Sequence, residues 1–123
     1  MGLQFENLVI NNRNTLLDKL HIRAETVVND GPYFQKTTKK NKGCQIDYLI
    51  QTRLHELYIV EIKFSRKELD TEIIHSMENK INNLTKPKHH AIRPVLVHVN
   101  GVKDAVSETN YFYQIINFTD FLN

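Results

Sequence analysis

The sequence predicts an α/β domain with the element order α-β-β-β-α-β and a small β/α tail. Three observations carry this. Two apolar runs, 45–51 and 57–64, are joined by a short turn, which makes them an antiparallel hairpin. The second run is apolar on both faces at its start, as expected of a strand with a helix over each side. The stretches 3–20 and 69–84 carry apolar residues at helical spacing and lie on either side of the first three strands.

The first helix is read over residues 3–20, from Leu3, Val9, Ile10, Leu17 and Leu20. It opens almost at Met1, and this abrupt start leads us to expect a domain excised from a longer protein. Residues 22–29 read as the first strand, and Asn29-Asp30-Gly31-Pro32 as a turn. Tyr33 to Lys36 either extend that strand or return from it. Residues 36–43 form a polar, basic loop. The hairpin strands follow at 45–51 and 57–64. The second helix, 69–84, has Leu69, Ile73, Ile74, Met77, Ile81 and Leu84 on one side, and Pro87 stops it. A fourth strand runs over 94–99 and is closed by Asn100-Gly101. Residues 102–110 read as a loose polar connection, 111–118 as a fifth strand and 119–122 as a final helical turn.

A chain of 123 residues fits one domain, 1–123, with one core. Its 41% hydrophobic and 24% charged content is that of an ordinary soluble protein. The net charge of +2 is compatible with nucleic acid without pointing to it. The one cysteine, Cys44, excludes an intrachain disulfide and a cysteine-based zinc cluster, and suits a reducing compartment. No apolar run is long enough to span a bilayer and no signal pattern opens the chain, so a cytoplasmic location without membrane contact is expected. Neither G-x-x-x-x-G-K-[ST] nor G-x-G-x-x-G occurs, which argues against nucleotide hydrolysis by this chain.

Asp47, Glu61 and Lys63 each interrupt a run that otherwise reads as buried strand. Charges placed there are costly unless they pair or hold a metal. Alternation puts Leu57, Ile59, Glu61 and Lys63 on one face and Tyr58, Val60, Ile62 and Phe64 on the other. Asp47 lies near the start of its strand, which in an antiparallel hairpin faces the end of the next, where Glu61 and Lys63 emerge. Two adjacent carboxylates repel, and a hard divalent cation relieves the repulsion. Mg2+ or Mn2+ suits these oxygen donors, with the Ile62 carbonyl as a further ligand. A lysine beside them can orient or deprotonate water, or stabilise charge on phosphorus. Such a constellation suits metal-assisted phosphodiester hydrolysis. Glu6 shares a helix face with Leu3, Val9, Ile10 and Leu17, out of place for a carboxylate; it either points at this site or binds nearby backbone or solvent.

Other residues have plainer readings. Lys36, Lys39, Lys40 and Lys42 either steer a phosphate backbone toward the site or form a solvated hairpin tip. Lys86, Lys88, His89, His90 and Arg93 read as surface. Cys44 reads as a small strand residue, with no basic neighbour in sequence to activate it. Tyr111, Phe112, Tyr113 and Phe118 supply either core or a homodimer surface.

Gly43-x-Gln45-Ile46-Asp47-x-Leu49-Ile50 followed by Val60-Glu61-Ile62-Lys63 resembles the signature of the PD-(D/E)XK, restriction-endonuclease-like superfamily. The likeness covers 3–99, with Ile46 standing where that signature often has proline. It implies a restriction-endonuclease-like αβββαβ core, with a mixed central sheet flanked by helices. Strands one to three would be antiparallel, and the fourth would pair after the crossover helix. It further implies that Asp47 and Glu61 bind Mg2+, that Lys63 is the catalytic lysine, and that Glu6 is the acidic residue of the first helix. The Gly-x-Gln-Ile-Asp form, the strand Arg93-Pro94-Val95-Leu96 and the ending Phe118-Thr119-Asp120-Phe121-Leu122 resemble the nuclease-like C-terminal domain of some prokaryotic AAA-type ATPases. The implied partners are DNA and an ATPase domain in the same parent chain. The expected function is a Mg2+-dependent nuclease acting on DNA. The alternative is a catalytically silent module that binds nucleic acid or docks on an ATPase domain, since fold alone does not fix function.

Overall fold

A computed structural model describes residues 11–121. Helix α1, Arg13–Lys19, is the first helix among the described residues, and the expected helix over 3–20 lies within them only from residue 11 onward. It ends at His21, whose φ of 57° is left-handed. Ile22 N–H donates to Leu17 O (2.9 Å) and His21 N–H to Asp18 O (3.1 Å), a Schellman closure that satisfies the last carbonyls. Ile22 and Leu17 are buried in the same cluster, the apolar contact this motif favours.

The first strand differs from expectation. Residues Ala24–Thr26 form a 3-10 turn, and strand β1 runs Val27–Gln35 straight through the expected turn at 29–32. The turn residues are absorbed as irregularities in the pairing of β1 with its neighbour, between Val27 and Asn29 and between Gly31 and Tyr33. An edge strand tolerates Gly31 and Pro32 because one side of its backbone makes no ladder. Asp30 is held there by Arg13 Nε (2.5 Å) and by the Tyr48 hydroxyl.

Strands β2 (Cys44–Thr52) and β3 (Glu56–Lys63) form the antiparallel hairpin. Helix α2, Glu72–Asn83, carries the chain to β4, Ala91–His98, which pairs parallel to β3. Leu69, expected inside this helix, instead bridges Val102. The connection after β4 contains a short helix α3, Asp104–Ser107, rather than only loop. Strand β5, Gln114–Asn117, is shorter than expected and pairs parallel to β4; the 3-10 turn Phe118–Phe121 follows it. The sheet order is β1-β2-β3-β4-β5, a mixed sheet as expected. Pro94 is tolerated inside β4 because pairing with β5 begins only at Val95, after the position that lacks an N–H.

Both faces of the sheet are covered. On one, Leu16 and Leu17 of α1 and the capping Leu20 meet Tyr48, Tyr58, Val60 and Val97. On the other, Ile73, Met77 and Leu84 meet Ile46, Leu57, Ile59 and Leu96. Leu57 to Val60 are consequently buried without interruption. Phe112 and Phe118 are buried as well, so core packing is their use. Tyr113 is partly exposed, with the Arg93 guanidinium 4.8 Å from its ring centre.

Candidate active site

The hairpin ladder runs from Gln51 opposite Leu57 to Tyr48 opposite Val60. One further step along that register would set Asp47 against Glu61. At this point the other side of β2 slips. Gly31 faces Leu49 but Tyr33 faces Ile46, so three steps on β2 answer two on β1. The extra residue is a bulge at Asp47 and Tyr48, and it breaks the strict alternation of β2. Tyr48 and Ile50 pack toward α1, whereas Ile46 packs toward α2. Bulges commonly re-aim a side chain beside a functional site.

Asp47 uses the change. Its Oδ2 accepts the Ile62 backbone N–H at 2.8 Å. The carboxylate thus takes a strand N–H just beyond the last ladder pair. Within a strand the N–H and C=O of one residue point to the same side, so the Ile62 carbonyl also turns toward β2 and Asp47.

Glu61 is buried, with 6% of its surface exposed. Burial pushes its pKa up to about 7, and the adjacent Asp47 carboxylate, within hydrogen-bonding reach, adds to the rise. Lys80 opposes it: its ammonium lies 3.0 Å from Oε1 and 2.8 Å from Oε2. Lys63 follows two residues on and is exposed. It lines a groove of about 460 Å3 with Ser65, Glu68, Asp70, Glu72 and Ser76. Asp70 in that wall is paired with Lys103 at 3.1 Å.

The structure therefore brings Asp47, Glu61, the Ile62 backbone and the opening beside Lys63 to one end of the sheet. Glu6 lies outside the described residues. Lys36, Lys39, Lys40 and Lys42 are exposed on the β1–β2 connection, which is fastened to the end of α2. Gln35 does the fastening: its amide donates to Lys42 O (2.9 Å) and Asn83 O (2.7 Å) and accepts from Thr85 N–H (2.7 Å). Gly43 closes the loop where a Cβ would come within 2.5 Å of Gln35 O and 2.8 Å of Thr37 N. Cys44 has basic neighbours after all, brought by the fold rather than by sequence. Burial raises its pKa, and the charges of Lys80 and Lys86 oppose the rise without overcoming it.

Sequence reasoning missed Lys80. The signal was present: Ile73, Met77, Lys80 and Leu84 follow helical spacing, so Lys80 sits on the apolar stripe of α2. It is the same kind of anomaly that marked Glu61.

The donor set fits a hard divalent cation. Two carboxylates and a backbone carbonyl are all oxygen donors, and Mg2+ commonly uses one or two carboxylates and keeps several waters. No group of three or more His, Cys, Asp or Glu side chains at metal-binding spacing occurs among the described residues. Glu61 already holds one cation, the Lys80 ammonium.

No family model matches the sequence, and no curated protein matches it either. Solved structures do. A repair endonuclease from Pyrococcus abyssi matches with a TM-score of 0.58 at 13% identity, over 94% of this chain and 45% of that one. This chain has a nuclease-like fold. A protein of unknown function, AF1548, matches with a TM-score of 0.56 at 11% identity, over 86% of this chain and 55% of that one. The chain thus spans about half the length of the structures it matches. The likeness establishes the α/β, restriction-endonuclease-like architecture. No helix among the described residues is long and apolar enough to cross a membrane.

Proposed function

We propose that this domain is a divalent-metal-dependent nuclease of the PD-(D/E)XK kind, acting on DNA, with Asp47, Glu61 and Lys63 as its site. One observation carries the reading: the bulge in β2 directs Asp47 to the Ile62 backbone beside the buried Glu61 carboxyl, two residues before the exposed Lys63. Asp47, Glu61 and the Ile62 carbonyl would hold Mg2+ or Mn2+. Such an ion, when bound, polarises a phosphate oxygen and makes water more acidic. Ile62 N–H fixes the orientation of Asp47 by engaging one of its oxygens. The Lys63 ammonium, exposed two residues along the strand, is the group available to steady charge on a phosphate or to orient a water. Lys36, Lys39, Lys40 and Lys42 would draw the nucleic-acid backbone from the side of the β1–β2 connection. The likeness to a structure described as a repair endonuclease supports DNA as substrate. The resemblance to nuclease-like ends of AAA-type ATPases supports an ATPase domain as partner.

A second reading is favoured by Lys80. Its ammonium engages both Glu61 oxygens, as it would in a silent module whose lysine stands permanently where a metal would. Cleavage assays separate the two. Duplex, single-stranded and branched DNA, and RNA, are incubated with Mg2+, Mn2+ or EDTA, beside Asp47→Ala and Lys63→Ala. Metal-dependent cutting that falls at least about 100-fold in each variant, with circular dichroism unchanged, supports the nuclease. Variants that cut as well as the parent sink the site assignment.

A further inference from the structure

Lys80 and Glu61 form an unequal pair. Glu61 sits on β3 with its side chain 7% exposed, whereas the Lys80 side chain is 27% exposed. The carboxylate is fixed by the sheet, and the ammonium reaches it on a flexible four-carbon stem from α2. A lysine can therefore leave Glu61 for solvent without any backbone movement. Both Glu61 oxygens are engaged while it stays.

We propose that Lys80 is a built-in competitor for the metal position, holding Glu61 until a divalent cation displaces its ammonium. This rests on the reading of Asp47 and Glu61 as metal ligands. Lys80 then sets the metal affinity of the site and is a positioning residue rather than a catalytic one. With Glu61 released, its ammonium lies beside the ion, and the two like charges repel, which weakens metal binding further. On the same stem it remains close enough to meet a phosphate that enters with the metal.

The test is Mn2+ binding by calorimetry at one pH, about 8, without nucleic acid. It uses the parent, Lys80→Met, Lys80→Arg, Asp47→Ala and the charge control Lys88→Met. Lys88 is exposed near the start of β4, which lies across from Glu56 at the other end of β3. Lys80→Met should tighten Mn2+ binding about tenfold or more, because competitor and repulsion both go. Lys80→Arg should weaken it about threefold, because a guanidinium grips a carboxylate with two parallel hydrogen bonds. Lys88→Met should leave it unchanged. Lys80→Met binding no tighter than the parent overturns the proposal, while loss of binding in Asp47→Ala keeps the metal-site reading standing. If neither the parent nor Lys80→Met binds Mn2+, both fall; if only Lys80→Met binds, the competitor role is upheld. Should Lys80→Met fail to fold, Lys80→Arg decides, since affinity equal to or above the parent's overturns the idea.

Discussion

Glu61→Gln in metal-free protein is the sharpest perturbation of the site. A glutamate in the unfolded chain titrates near 4.5, whereas burial and Asp47 hold the folded carboxyl's proton up to about pH 7, against the pull of Lys80. Between these values the folded state binds more protons than the unfolded one, so stability falls as pH rises. Between about pH 5 and pH 8 the parent should lose roughly 2–3 kcal/mol through this one group. Glutamine does not titrate and escapes the loss. The assay is urea unfolding in EDTA, followed by far-ultraviolet circular dichroism, for parent and variant at both pH values. Titration of groups that do not touch Glu61 is common to both proteins, so the difference between them reports Glu61 and its immediate partners. The variant's advantage should grow by roughly 2–3 kcal/mol from the lower to the higher pH. An advantage that stays constant would mean that Lys80 keeps Glu61 ionised throughout, and would refute the argument that burial dominates.

Two further outcomes test the frame around the site. His21→Gly should stabilise the protein by about 1 kcal/mol, because His21 adopts a left-handed φ of 57° at the end of α1 that glycine takes without steric cost; a lower denaturation midpoint would count against it. Gly43→Ala should destabilise by about 1–3 kcal/mol, because its Cβ would press on the backbone of Gln35 and Thr37, and an unchanged midpoint would show that the loop yields freely.

The strands and helices were legible wherever periodicity was strong. The hairpin, the crossover helix and β4 needed only apolar runs of distinct period. β1 was harder, because Asn29-Asp30-Gly31-Pro32 carries every local mark of a turn. The sheet overrides it: β2 offers a continuous partner, and the special residues are spent on irregular pairing instead of on reversal. The short α3 has only Val106 buried, too little to leave a pattern. At the site, Asp47 and Glu61 were visible because they break apolar runs. Lys80 escaped because a lysine on a helix is ordinary until its neighbours are known to be core.

The end of the hairpin ladder is where sheet and site share their chemistry. A regular β2–β3 pairing carried past Tyr48 would use backbone groups on both strands and leave none for side chains. The bulge ends that regularity, and the Asp47 carboxylate answers the Ile62 N–H in place of a backbone oxygen. An acid thereby becomes part of the fold's own hydrogen bonding, which fixes its position more firmly than packing alone would. Glu61 is then buried beside it at a real cost, offset by a cation that α2 delivers from across the sheet. Replacing buried charges by apolar residues of similar size is often neutral or stabilising, so the fold alone does not call for them. Asp47 and Glu61 meet at one end of the hairpin ladder, with Lys63 two residues along β3 and Lys80 reaching Glu61 from α2, and this is the arrangement that the proposed metal site would use.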